Sequence, residues 1–336
     1  MRPRWIVSLC ILLPLGGVVS VIAQASSEPL SPARTEKRSP TKKWTLPRTA
    51  WGDPDLTGVY SNDDESGIPF ERPTEFSGRT IEDITPGELA EINRQRVARF
   101  NATLAGFGST LFPGSLERKN SRPWLVVAPP DGHVPPLTPE ARERLRHPQR
   151  GMSSNSIPDG PFDGYEDLGL YDRCITRGIP DSMMPVSYGG NYEIIQSKDQ
   201  VAIRYEMIHE VRVIPLDSRP HLGKNLHLDL GDARGRWESD TLVVESTNFS
   251  SRSAFRGATE DLRLTERFTP TDQGHVEWRV TVNDARTWTQ PWSFAMTLTK
   301  KGSSQRIYEY ACHEGNYGLR NILTGARRAD QARQEK

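Results

Sequence analysis

The densest group of side chains able to move protons or bind a metal lies in "HEVRVIPLDSRPHLGKNLHLDLGD". It holds His209, Glu210, Arg212, Asp217, Arg219, His221, His227, Asp229 and Asp232. A second group, Cys312, His313, Glu314, Asn316 and Tyr317, follows near the end, and a third, Asp172, Arg173 and Arg177, flanks Cys174. Two chemistries suit these residue types. In an acid–base site His209 or His313 carries the proton, a carboxylate such as Glu210 or Asp217 orients the ring, and Arg212 or Arg173 stabilises developing negative charge. The catalytic candidates are therefore His209, His313, Glu314, Arg212 and Arg173. In a metal site His209, His221 and His313 offer neutral imidazoles to zinc or another transition metal, Glu314 or His227 completes the shell, and an open position activates water. The histidine spacing is not HExxH and no paired-cysteine signature occurs, so the cofactor stays unknown. A third reading gives these residues structural work alone. Asp217 and Arg219 pair in a proline-rich corner, and the histidines cap loops at the rim of a barrel. For contact with a small ligand the candidates are His221, Asp217, Arg219 and Tyr317.

Other chemistries are excluded. No Gly-x-Ser-x-Gly elbow occurs, and the glycines of "GDARGRW" lead into a strand rather than a helix, unlike a phosphate loop or a dinucleotide fingerprint. Lysine plus arginine and aspartate plus glutamate number 43 each, so no basic excess points to nucleic acid. The sequence leaves the oligomeric state open.

What the two later cysteines do depends on compartment. Arg2 and Arg4 precede the apolar run "WIVSLCILLPLGGVVSVIA", and Ala23-Gln24-Ala25 supplies small residues for signal peptidase. Residues 1–25 are read as a signal peptide cleaved after Ala25, with an uncleaved membrane anchor as the alternative, and the chain as secreted or periplasmic. No later segment is long and apolar enough to span a bilayer. In an oxidising compartment Cys174 and Cys312 are expected to form one disulfide, the competing reading being a free, reactive Cys312. The bond would bring the second and third clusters together, with Arg173 near His313.

These residues need a frame. Residues 26–50 are polar, basic and broken by prolines, and are read as a disordered linker. Residues 51–170 supply a first strand at Leu56–Tyr60 and a helical and loop extension. Thr85-Pro86 and Thr138-Pro139 each open a helix, and "WLVVAPPDGHVPPL" reads as a hairpin turning at Pro-Asp-Gly. The glycine-rich stretch from 151 to 180 is expected to be ordered but irregular. Residues 171–330 are read as the antiparallel barrel with its C-terminal helix, and from about residue 183 short alternating segments follow one another: "YEIIQS", "QVAIRYEM", "EVRVIPL", "TLVVESTNF", "LRLTERFTP", "HVEWRVTVND", "WSFAMTLTK" and "RIYEYACHE". A tight hairpin falls at Glu238-Ser239-Asp240. In "HVEWRVTVND" Val276, Trp278, Val280 and Val282 share one face. Consecutive antiparallel strands with one apolar face must stack or close on themselves, and this number suits a small barrel. A final helix presents Leu319, Ile322, Leu323 and Ala326 on one side. The expected fold is mainly β: an antiparallel meander closing into a barrel, with a mixed α and loop N-terminal extension and a C-terminal helix.

The stretch Asp55-Leu56-Thr57-Gly58-Val59-Tyr60 resembles the Gly-x-Trp opening strand of lipocalin-like barrels, with Tyr60 in the aromatic position. More broadly, "WGDPDLTGVY", "YDRCITRGIP", "GRWESDTLVVESTNF" and "YEYACHEGNYG" resemble an uncharacterised family of secreted bacterial proteins. These resemblances imply a lipocalin-like barrel and an extracytoplasmic address. The first functional expectation is a barrel that binds a small apolar or aromatic molecule, with Arg and His at its mouth orienting a polar group. The alternatives are a periplasmic enzyme of hydrolase or isomerase type using the His, carboxylate and Arg groups, with or without a metal, and a structural or partner-binding protein.

Overall fold

A computed structural model describes residues 44–107, 120–146, 162–186, 189–253 and 255–335. The signal-peptide reading and most of the linker reading fall outside these residues. The last residues read as linker, 44–50, carry hydrogen bonds and an ion pair: Asp55 N donates to the Pro47 carbonyl, and Arg48 pairs with Asp240 at 2.5 Å.

The first strand, β1 (Gly58–Ser61), is followed by α1 (Pro86–Phe107), β2 (Val126–Ala128) and α2 (Pro139–Arg146). Both helices start at the threonine-proline pairs. Thr85 Oγ accepts from Glu88 N at 3.3 Å, and Thr138 Oγ accepts from Ala141 N at 3.0 Å, satisfying donors that the first turn leaves without partners. The meander then runs through β3 (Asn191–Gln196), β4 (Gln200–Tyr205), β5 (Val211–Pro215), β6 (Asp232–Glu238), β7 (Thr241–Thr247), β8 (Arg263–Pro270), β9 (His275–Asn283) and β10 (Trp292–Lys300), and α3 (Tyr317–Gln334) closes the order. No helix of the described residues is long and apolar enough to cross a membrane.

Hydrogen-bonded neighbours follow the path β5-β4-β3-β1-β10-β9-β8-β7-β6, with β2 added against β10. Every neighbouring pair is antiparallel. Because nine alternating strands are an odd number, the two end strands, β5 and β6, run the same way. No ladder joins them, and side chains close the seam. A Cβ on Gly235 of β6 would lie 2.6 Å from Leu216 and 2.8 Å from Ile214, so only glycine lets the β5 side pack this close. The result is a nearly closed, mainly antiparallel barrel with a C-terminal helix.

The expected first strand finds its partners across the long insertion: Tyr60 pairs with Tyr192 on one side and Lys300 on the other. The hairpin at 238–240 forms, with Glu238 opposite Thr241. Two expectations are corrected. Residues 126–128 pair with β10 rather than with the chain beyond the Pro-Asp-Gly turn, although Gly132 N does bond to the Pro129 carbonyl. "RIYEYACHE" is irregular rather than a strand. β10 is nine residues long; β9 lines one edge, and β1 and β2 divide the other, so no free edge remains beside β10.

Alternation directs Val276, Trp278, Val280 and Val282 of β9 and Trp292, Phe294, Met296 and Leu298 of β10 to one buried face, the apolar core. Trp278 packs edge-on to Phe294 at 5.7 Å between ring centres. Strand direction also sorts the connections. The 239–240 and 271–274 turns lie at one end of the barrel, and the 206–210 turn and the 248–262 and 284–291 connections lie at the other, called below the distal end.

Candidate functional site

Inside the apolar core sits an ion pair. Arg212 of β5 occupies the same alternating face as Ile214, and Glu266 of β8 the same face as Leu264 and Phe268. Their side chains are 2% and 0% exposed. Arg212 Nη2 donates to Glu266 Oε2 at 2.5 Å and to Ser246 Oγ at 2.7 Å, and Trp278 Nε1 donates to Glu266 Oε1 at 3.2 Å. Through Ser246 of β7 and Glu266, this arginine ties the β5 side of the seam to the strands beyond it. Burial by itself would push the guanidinium down. The Glu266 carboxylate, with Tyr205, outweighs it and holds the group above its usual range.

Tyr205 is the further polar side chain felt at the guanidinium. Elsewhere in the interior the Tyr192 hydroxyl, Asn62 Oδ1 and Trp292 Nε1 are buried without a hydrogen-bond partner. The Tyr205 hydroxyl lies against the guanidinium and interacts with it. Tyr192 and Tyr205 stand directly opposite each other on β3 and β4. Burial, above all, lifts both phenols, and the nearby Asp63 and Glu65 charges lift Tyr192 further. A buried donor or acceptor without a partner costs about 1–3 kcal/mol, so each of these atoms is a place where water or another polar group is stabilising.

A second arrangement occupies the distal end. The segment after Cys174 reaches across it and sends Ile179 and Met183 into the core, and Asn62 Nδ2 donates to the Met183 carbonyl. Thr176 Oγ donates to Glu210 Oε2 at 2.7 Å. Burial, and secondarily the charge of Asp229, pushes Glu210 up to about 7. Asp181 is raised to about 6 by burial, against the pull of Arg177 and Arg256. Arg256 lies 3.8 Å above the Phe70 ring. The backbone is strained here: Cys174, Ile208, His209 and Arg256 have φ of 57, 65, 49 and 52°, a region costly for a β-branched residue such as Ile208.

Cys174 and Cys312 are joined, with Cα atoms 5.8 Å apart. The bond sits between two clamps on the strained turn. Two residues past Cys174, Thr176 holds Glu210; two residues before Cys312, the Tyr310 carbonyl lies 3.1 Å from His209 Nδ1. Asn316 caps α3 at Leu319 N and donates to the Asp172 carbonyl. Asp172, Tyr310, Leu319 and Ile322 line a cleft of about 420 Å³ beside the disulfide, and burial raises Asp172.

The residues singled out in the sequence are therefore dispersed. Arg212 lies inside the barrel rather than at its mouth, while His209 and Glu210 lie in the distal turn. Arg173 stacks 5.2 Å from the Tyr165 ring centre, and His313 and Glu314 are exposed beside the disulfide. His221 Nδ1 lies 3.0 Å from Asp232, which also binds Arg234 at 2.5 Å. His227 Nδ1 faces the Phe249 carbonyl at 3.1 Å, and Asp229 pairs with Arg252 at 3.4 Å. Asp217 and Arg219 pair with each other in the open. Tyr317 begins α3 at 69% exposure. Among the described residues no group of three or more His, Cys, Asp or Glu could hold a metal ion, so His209, His221 and His313 do not form a common set there. Sequence reasoning missed Glu266, Tyr192, Tyr205, Asn62 and Asp181. One signal was present: Glu266 breaks the apolar face of "LRLTERFTP" just as Arg212 breaks that of "RVIPL".

No family model and no curated protein matches this chain. Among solved structures it is similar to a secretory abundant heat soluble protein from Ramazzottius varieornatus, at 12% identity over 44% of this chain and 90% of that one, with a TM-score of 0.23. It is also similar to a point mutant of the fluorescent protein UnaG, at 13% identity over 40% of this chain and 86% of that one, with a TM-score of 0.22.

Proposed function

We propose that this chain is an exported barrel that binds a small molecule with an apolar or aromatic body, seating a polar group of the ligand at Arg212. The observation that carries the reading is the Arg212–Glu266 ion pair held inside the otherwise apolar core, with the Tyr205 hydroxyl beside it. The Trp278 ring, whose Nε1 donates to Glu266 and which packs edge-on to Phe294, would form an apolar wall beside that group. The seam between β5 and β6 is the part of the wall held by side chains rather than by a ladder. Export rests on the basic and apolar start of the chain, and the resemblance to secreted bacterial proteins belongs to the same proposal.

Native mass spectrometry of the protein secreted by its own host tests this. The expected result is a retained organic mass, lost in Arg212→Met, on a chain beginning at Ser26. A bare mass, with the interior atoms satisfied by water, would sink the binding reading. An unprocessed N-terminus would sink the export reading.

A second reading, acid–base catalysis at the distal end, is favoured by Glu210, whose carboxyl at about 7 is poised to give or take a proton near neutrality. It requires turnover of a chromogenic ester panel that Glu210→Gln abolishes. No turnover by the wild type would remove it.

A further inference from the structure

We infer that the cleft beside the Cys174–Cys312 disulfide is a second binding site, for an organic cation: a primary ammonium on a small apolar body. The cleft holds about 420 Å³, and none of the residues lining it belongs to the apolar core of the barrel. Its walls come from three parts of the chain: the turn holding Tyr171, Asp172 and Cys174, the segment Glu309–Cys312, and the start of α3. The disulfide ties the first wall to the second, and Asn316 ties the first to the third by donating to the Asp172 carbonyl at 2.7 Å. The space is thus held open by a covalent bond and a capped helix.

The walls call for an apolar body. Leu319 and Ile322 of α3 line the cleft, yet no residue of that helix is buried, so this apolar surface still meets water. Covering it is favourable, and a cleft of this size with apolar walls and a few polar groups is the usual form of a small-molecule site.

The charges select the head group. Asp172 and Glu309 line the cleft, and among the described residues none of the others lining it is Lys, Arg or His. The arginines that follow Asp172 are engaged on rings and do not line it: Arg173 lies 5.2 Å from the Tyr165 ring centre, and Arg177 5.6 Å from that of Tyr171. Burial raises the Asp172 carboxyl; what opposes it is the Gly169 N–H, with no cation felt. Asn316 has committed its amide, accepting from Leu319 N at 3.1 Å and donating to the Asp172 carbonyl. An ammonium supplies the missing positive charge and three N–H donors to groups that only accept when ionised. An anion would meet like charge at both carboxylates.

The test is calorimetric titration of the oxidised full-length protein near neutral pH and at low salt, with three probes of similar shape: 2-phenylethylamine, 2-phenylethanol and 3-phenylpropanoate. The amine is expected to bind about tenfold more tightly than the alcohol, a preference that salt erodes, and the propanoate most weakly. Backbone amide NMR shifts on adding the amine should centre on Ala311, Gly315 and Gly318. Asp172→Asn combined with Glu309→Gln keeps both shapes, and the asparagine keeps an oxygen for the Gly169 N–H. The unfolding midpoint should hold, the amine should weaken about tenfold and the alcohol should be unaffected. Equal binding of amine and alcohol overturns the inference, as does tightest binding by the propanoate or no binding of the amine. Amine binding that shifts barrel residues instead, or that the double variant leaves intact, also overturns it. None of these results bears on the interior site at Arg212, which Arg212→Met tests by itself.

Discussion

Glu210→Gln should stabilise the fold at alkaline pH and leave it unchanged in acid. Glu210 has an ordinary value of 4.5 and is raised to about 7 in the folded chain by burial and by the charge of Asp229. Below the unfolded value both states carry the proton and no penalty exists. As pH rises from there toward 7 the unfolded chain releases its proton while the folded chain retains it, so stability falls; above 7 the loss is complete. At 1.36 kcal/mol per unit the ceiling is about 3 kcal/mol, and water reaching this partly exposed group reduces it to about 1–2 kcal/mol. Glutamine keeps an oxygen to accept the Thr176 hydroxyl and never ionises. Urea unfolding of wild type and variant at pH 4.0 and 8.0, without reductant, measures the double difference, in which the other titrating groups cancel. The variant should gain about 1–2 kcal/mol between the two values. A gain equal at both, or a loss at pH 8.0, refutes the claim that Glu210 is held protonated by its surroundings.

Three further outcomes follow from the same contacts. Arg212→Ala leaves Glu266 charged and unpaired in the core and should cost about 3–5 kcal/mol in denaturant unfolding, whereas Arg212→Met combined with Glu266→Leu should cost clearly less. Gly235→Val drives a side chain into Leu216 and Ile214 at the seam, for an expected loss of about 1–3 kcal/mol in the same assay. Reduction of the disulfide, which links residues 138 apart, should lower stability by about 2–5 kcal/mol; an unchanged unfolding midpoint with dithiothreitol present would show that the bond does not hold the folded chain together.

The barrel was legible because its signals are redundant. In β9 and β10 the alternation of Val276, Trp278, Val280 and Val282 with Trp292, Phe294, Met296 and Leu298 would put every apolar side chain in water if the register slipped by one residue. The misread strand at "RIYEYACHE" carries similar alternation, but a strand also needs an edge to pair with. Whether β10 offers one depends on β1 and β2, which lie more than 160 residues earlier. Local pattern cannot report a competition decided at that distance.

The same reasoning explains why the polar groups were sorted poorly. His209, His221 and His313 drew attention because a metal or proton-transfer site is sought by residue type, but their partners turned out to be local or merely convenient: a backbone carbonyl for His209, Asp232 for His221, solvent for His313. Arg212 and Glu266 are individually ordinary. What makes them unusual is position, each being the one charged residue on the inward face of its strand. A buried charge of either sign demands its opposite within reach, so the arginine in "RVIPL" and the glutamate in "LRLTERFTP" predict each other once both strands are assigned to one barrel. Charge neutrality inside a closed apolar wall is therefore a stronger guide to this interior than the clustering of chemically versatile residues along the chain.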